Sequence, residues 1–115
     1  MAVQKTFAVI VGVVLVILGI WGFFQPLILN LFGVNPAQNI VHIIAGALGI
    51  WLGTKGSGKG FNLWLGWIAL VVGILGLIPG AKDLLAQLLG INSGISWLHI
   101  ILGIIALIVA YAVKE

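Results

Sequence analysis

The chain contains no cysteine, no arginine and only two acidic residues, Asp83 and Glu115. Without cysteine there is no disulfide, no thiolate metal site and no sign of redox compartment. Both acids fall outside the apolar runs. No carboxylate therefore stands ready to orient a histidine as in a hydrolase triad, and no buried acid is available to relay protons or ions. The serines Ser57, Ser93 and Ser96 read as loop or cap residues, which leaves catalysis without a nucleophile and argues against an enzyme. Two histidines with no cysteine or inward carboxylate fall short of the usual ligand number for a divalent metal, so no metal site is expected. Five lysines, giving a net charge of +3, are too few and too scattered for a nucleic-acid surface. The segment TKGSGKG, residues 54–60, lacks the GxxxxGK[ST] spacing and the preceding strand of a phosphate-binding loop.

What is present is hydrocarbon. Of 115 residues, 63% are hydrophobic and 6% charged, and the mean hydropathy is +1.34; a soluble domain is about 25% charged. A bilayer span needs roughly 20 mainly apolar residues, and four such stretches follow one another: about Phe7–Phe24, Gln38–Thr54, Phe61–Ile78 and Ile95–Val113. The first is longer than a secretory core and has no small-residue cleavage pattern through Trp21–Phe24, so it is read as a retained helix. The sequence predicts an all-α membrane protein with four transmembrane helices.

The lysines orient it. Lys5, Lys55, Lys59 and Lys114 all fall at the same ends of the spans, whereas the two opposite connections carry only Lys82 beside Asp83. By the positive-inside rule both termini are expected in the cytoplasm, with Trp51, Trp64 and Trp67 at the inner interface and Trp21 and Trp97 at the outer one.

The chain also repeats itself. Displaced by 57 positions, VNPAQNIVHIIAG (34–46) lies over INSGISWLHIILG (91–103), pairing Asn35 with Asn92, His42-Ile43-Ile44 with His99-Ile100-Ile101, and Gly46 with Gly103; Gly19 meets Gly76 and Gly33 meets Gly90 outside the motif. Leu and Ile identities mean little in so apolar a chain. The Gly, Asn and His columns carry the signal. Residues 1–57 and 58–115 are thus expected to be two tandem helical hairpins forming one membrane domain. Because a two-helix unit returns the chain to its starting side, a pseudo-two-fold axis along the membrane normal should relate them.

Asn35, followed by Pro36, and Asn92 read as N-caps. His42 and His99 each lie seven residues further on, about 10 Å into the outer leaflet. From His42 the same helical face carries Gly46, Gly49 and Gly53; from His99 it carries Gly103, Ala106 and Ala110. Small residues at this spacing let helices approach closely in a membrane, so both imidazoles are expected to face protein, with Asn39 and Ser96 as neighbouring polar partners. The outer connections, Pro26–Gly33 and Asp83–Gly90, mix Leu with polar residues and end in Gly; both read as short interfacial helices over the outer end.

Asn39-Ile40-Val41-His42 followed by Gly46, and Trp97-Leu98-His99 followed by Gly103, resemble the small bacterial four-helix membrane proteins grouped as domain of unknown function 4383. The likeness covers nearly the whole chain. It departs at Ser96, where the family often has Asn, and at Gln38, where a further His is common. The resemblance implies the fold and a bacterial cytoplasmic membrane, and brings no activity.

The function expected from the residues is structural: a scaffold, accessory subunit or self-assembling component without enzymatic activity, partnered by lipid and by further protein. Glycines 12, 19, 22, 66, 73, 76 and 80 offer more close-packing surface than four short helices are expected to use among themselves, which points to self-association. The alternative is haem or pigment binding through His42 and His99, since paired imidazoles are common axial ligands, although no arginine is available for propionates.

Overall fold

The computed structural model describes residues 2–114. Five helices dominate: α1 (Val3–Phe24), α2 (Pro36–Lys55), α3 (Lys59–Leu75), α4 (Ala81–Leu89) and α5 (Ser93–Ala112). Helices α1 and α2 pack along their length as an antiparallel pair, and so do α3 and α5; contact between the pairs is sparse. At 22, 20 and 20 residues, α1, α2 and α5 are long and apolar enough to cross a membrane, while α3 is a shorter apolar helix of 17 residues. The molecule is 39 Å in its longest dimension, close to the thickness of a bilayer with its interfaces.

Burial follows the logic of a lipid solvent. Ile10, Ile17, Ile44, Ile68, Ile101 and Ile108 are exposed, whereas Gln4, Gln38, Asn39, Asn62 and Ser96 are almost completely buried. In water such an arrangement would expose apolar surface and desolvate amides; in hydrocarbon it hides the groups that lipid cannot hydrogen-bond. Together with the helix lengths this is consistent with an integral membrane protein.

Each pair closes through residues without side chains. A Cβ on Gly12 would stand 2.6 Å from the Gly46 carbonyl oxygen, and one on Gly46 would stand 2.5 Å from that of Gly12. The α1 and α2 backbones are therefore in direct apposition. In the other pair, a Cβ on Gly103 would stand 2.6 Å from Leu70 N and 2.8 Å from Gly66 O. Ala106 and Ala110 are fully buried on the same helix. All but one of the glycines expected to be in excess are used in this way: 12, 19 and 22 against α2, and 66, 73 and 76 against α5. Only Gly60 and Gly80 have nothing nearby.

The two connections at the far end differ. Ala81–Leu89 forms the expected short helix, with Asp83 in its first turn, where a negative charge suits the helix dipole, and Gly90 closing it at φ +68°. Pro26–Gly33 is not a helix, which corrects the sequence reading. Strand β1 (Leu27–Ile28) pairs antiparallel with β2 (Phe32–Gly33), and Gly33 lies in β2 instead of beyond a helix end. Leu29 and Asn30 both take φ +55°, with Leu31 N donating to Ile28 O at 3.0 Å, as in the left-handed turns that suit tight hairpins. Two successive residues in the left-handed region cannot continue a right-handed helix, so the segment folds back on itself. The hairpin instead drives Ile28 into the interior, 1% exposed.

Candidate functional site

Asn35 and Asn92 start the two histidine-bearing helices. The Asn35 carboxamide oxygen accepts from Gln38 N at 2.9 Å, and that of Asn92 accepts from Ile95 N at 3.0 Å, satisfying N–H groups that a helix start leaves open. Each cap also reaches into the other helix pair. Asn35 Nδ2 donates to Leu88 O on α4 at 3.1 Å, and Asn92 Nδ2 donates to Leu31 O in the β-hairpin at 3.1 Å. Asn92 Oδ1 accepts a further bond from Gly33 N at 2.9 Å. Gln38 adds a strap of its own: Nε2 donates to Gly33 O at 3.1 Å and to Leu89 O at 2.8 Å.

Beneath this clasp lie the histidines. His42 comes from α2 and His99 from α5, so each helix pair supplies one imidazole. Their ring centroids are 6.0 Å apart and their planes inclined at 75°. His42 is only 8% exposed, and Nδ1 of both rings is buried without a hydrogen-bond partner. The two histidines do meet in the protein interior. Asn39 and Ser96, paired with them in the sequence reading, are placed elsewhere. Asn39 is fully buried against Gly22, with neither amide atom partnered. Ser96 lies against Gly76 and its hydroxyl donates back to Asn92 O at 2.9 Å. The small faces below the histidines, Gly46, Gly49 and Gly53 on α2 and Gly103, Ala106 and Ala110 on α5, are buried; Gly46 and Gly53 pack on α1 and Gly103 on α3, while Gly49 meets both Ala8 of α1 and Phe61 of α3.

Two cavities flank the imidazole pair. One, of about 140 Å³, opens between α2 and α3 and is lined by both histidines together with Gln38, Ala45, Ala69 and Val72. The other, about 150 Å³, lies between α1 and α5, where Val11, Leu18, Ile95 and Leu98 join the same histidines. Leu15 and Leu102 border both cavities. Among the described residues no group of three or more His, Cys, Asp or Glu side chains converges; Glu115 lies outside them.

A second polar cluster, at the opposite end, is absent from the sequence reading. Gln4 Nε2 donates to the carbonyls of Val109 at 2.7 Å, Ala110 at 3.3 Å and Val113 at 3.2 Å. Asn62 Nδ2 donates to Gln4 O at 3.0 Å and to Gln4 Oε1 at 2.9 Å. The start of α1 thereby holds α3 and caps the last turn of α5. A lone amide at the edge of an apolar run was the available signal, since lipid offers it no partner. Lys5 Nζ donates to Thr54 O at 3.0 Å, so both ends of the described chain and the lysine-bearing loop gather at this end of the molecule.

The family model described as Domain of unknown function (DUF4383) matches residues 5–112, and the chain belongs to that family. Comparison with curated proteins and with solved structures gives no match.

Proposed function

For this member of the DUF4383 family we propose an integral membrane protein without enzymatic activity of its own, serving as a scaffold, accessory subunit or self-assembling component. In this reading α1, α2, α3 and α5 all cross the bilayer. Helix α3, about 25 Å long at 1.5 Å per residue, spans with slight local thinning. Residues 1–57 and 58–115 act as tandem hairpins about a pseudo-two-fold axis. The reciprocal bonds Asn35 Nδ2 to Leu88 O and Asn92 Nδ2 to Leu31 O support this, because both donors and both acceptors are separated by the same 57 positions. The end bearing Lys5, Lys55, Lys59 and Lys114 faces the cytoplasm, of a bacterial inner membrane if the family resemblance extends to the source.

The observation that carries a structural role is the clasp itself. The most developed polar chemistry in the chain ties one helix pair to the other. Self-association now rests on the exposed apolar flanks, because the glycine faces are used internally. The absence of native cysteine makes the topology directly testable. Ser57→Cys and Gln87→Cys should react with a membrane-impermeant maleimide from opposite sides, and labelling of both from one side would refute the reading. Particle mass in mild detergent tests assembly, a clean monomer with no co-purifying protein counting against it.

A second reading, haem or pigment binding by His42 and His99, draws on imidazoles supplied from opposite helix pairs at 6.0 Å. Each flanking cavity is of single-ring size, so a tetrapyrrole would have to displace Leu15 and Leu102 and part the pairs. A Soret band lost in His42→Ala and His99→Ala would establish it; a colourless protein from native membrane removes it.

A further inference from the structure

We propose that the crevice between the end of α2 and the start of α3 holds one anionic phospholipid of the cytoplasmic leaflet, with an acyl chain lying in the crevice and the phosphate met at its lip by Lys55 and Lys59. The inference rests on the membrane reading above and is independent of any scaffold role.

The walls select a chain. Leu48 and Leu52 of α2 stand on one side, Gly60, Phe61 and Trp64 of α3 on the other, and the turn through residues 56–58 borders the end. The space measures about 440 Å³, about three times either cavity beside the imidazoles and within the roughly 300–1,000 Å³ of ligand sites. Leucine, glycine and phenylalanine offer no side-chain hydrogen bond, and indole offers a single donor. A protein segment entering here would leave backbone N–H and C=O groups unmet, whereas an acyl chain asks for nothing. Leu48, Leu52 and Trp64 are exposed on the flank of the molecule, Trp64 to 72%. The crevice therefore opens sideways onto surface that faces lipid.

Charge at the lip selects the headgroup. Lys55 ends α2 and Lys59 begins α3; each is next in sequence to a glycine that borders the crevice, and both are exposed. Their ammonium groups stay outside the apolar walls, since a lysine stem carries its charge to the interface. Lys5 adds a third positive charge beside them, its Nζ donating to Thr54 O at 3.0 Å. Among the described residues the one acid is Asp83, in α4 at the opposite end. A positive lip over apolar walls complements a phosphodiester joined to acyl chains. A zwitterionic phospholipid shares the phosphate but brings a cation that the lysines repel, and the cytoplasmic leaflet supplies anionic lipid.

The 57-residue repeat supplies an internal contrast. Gly60 and Phe61 correspond to Val3 and Gln4, and Leu52, Gly53 and Gly56 correspond to Val109, Ala110 and Val113. At that second junction Gln4 Nε2 donates to all three carbonyls and draws the start of α1 against the end of α5. Phe61 has no such donor and turns its ring toward Gly49, while Gly60 adds no side chain. One junction is tied by an amide; the other is left open beside two lysines.

The test counts lipids on the full chain. Purified in dodecylmaltoside, it is mixed with equal amounts of dioleoylphosphatidylglycerol and dioleoylphosphatidylcholine, and the lipids retained are counted by native mass spectrometry. The expected result is one phosphatidylglycerol per chain, favoured about tenfold over phosphatidylcholine, a preference that two lysines at a charged lipid suffice to give. Lys55→Gln combined with Lys59→Gln should abolish the preference, whereas Lys82→Gln at the opposite end should not. Gly60→Leu has open space for its side chain and should lower phosphatidylglycerol retention by a similar factor with every lysine in place. Leu52→Trp, which narrows the crevice from the other wall, should do the same. Glycerophosphoglycerol, the headgroup without chains, should not compete. Circular dichroism establishes that each variant is folded; if one blocking variant is not, the other decides. Equal retention of the two lipids overturns the proposal. So does full retention in the folded blocking variants, meaning that lysines gather headgroups with no seated chain, and so does displacement by glycerophosphoglycerol. If the two cysteine variants label from one side, the membrane reading fails and the site with it; if they label from opposite sides and the lipids are retained equally, the site alone fails.

Discussion

The first and second halves of the chain place the same residues at corresponding points and surround them differently. Both halves cap a helix with asparagine, bury a histidine two turns later and close on a small-residue face. Yet one half covers the capped end with a β-hairpin and the other with α4, and Gln38 and Asn39 of the first stand where the second has Ile95 and Ser96. The lesson lies in what the clasp requires. Asn92 needs the Leu31 carbonyl and Asn35 needs the Leu88 carbonyl at a fixed place. Any connection that presents that carbonyl serves, so the backbone between is free to be strand or helix. The polar positions have the same freedom, since Gln38 borders one cavity where Ile95 borders the other.

This comparison can be broken most severely at the glycines. Gly46→Leu and Gly103→Leu each force a side chain onto a neighbouring backbone less than 3 Å away. Overpacking typically costs about 1–3 kcal/mol, and a rigid backbone opposite puts these at about 3 kcal/mol or beyond. Each should lower the thermal midpoint in detergent sharply or prevent folding, whereas Gly60→Leu, with open space around it, should unfold as the wild type does. If one half tolerates its leucine, the two pairs are not held alike.

The caps are expected to come next, and to be unequal. Asn92→Ala removes bonds to Ile95 N, Gly33 N and Leu31 O; Asn35→Ala removes those to Gln38 N and Leu88 O. With cap losses of about 0.5–2 kcal/mol, Asn92→Ala should cost about 2 kcal/mol and Asn35→Ala about 1 kcal/mol in equilibrium unfolding. A double mutant should show coupling, because both ties hold the same two pairs together.

At the opposite end, Asn62→Ala removes two bonds to Gln4. Polar bonds within membrane proteins average about 0.6 kcal/mol, so about 1 kcal/mol is expected. The readout is faster hydrogen exchange in the first turn of α1, with the clasped end unchanged. The smallest effect should be a gain confined to the first half: Leu29, exposed and at φ +55°, is strained in a way asparagine tolerates better. Leu29→Asn should stabilise the protein by somewhat under about 1 kcal/mol in the same unfolding assay.

Much of the site was legible in the residues. The caps, the position of each histidine two turns beyond its cap and their inward direction follow from local helix geometry, which fixes which positions share a face. The reading of Pro26–Gly33 as a helix failed because leucine spacing in eight residues cannot distinguish an amphipathic turn from a hairpin; Asn30, a residue that tolerates the left-handed turn conformation, was the countersign. The glycines looked superfluous because sequence reveals a small face but not how closely a partner approaches it. Asn39 and Ser96 were expected beside the imidazoles, yet within each pair the nearby Gly22 and Gly76 leave room that a polar side chain fills.

Hydropathy, periodicity and capping act over a few residues, so the apolar helices, their asparagine caps and the place of each imidazole two turns beyond its cap were already written in the sequence. Long-range packing decided that each cap reaches the other half, that Gln4 meets Asn62 and the end of α5, and that Gln38 joins Gly33 to Leu89. Except for the bond to Gly33, these join residues that are 51 to 109 positions apart. Which carbonyl comes within 3 Å of a distant amide is set by how closely the glycines let the helices pack, and no local pattern records that distance.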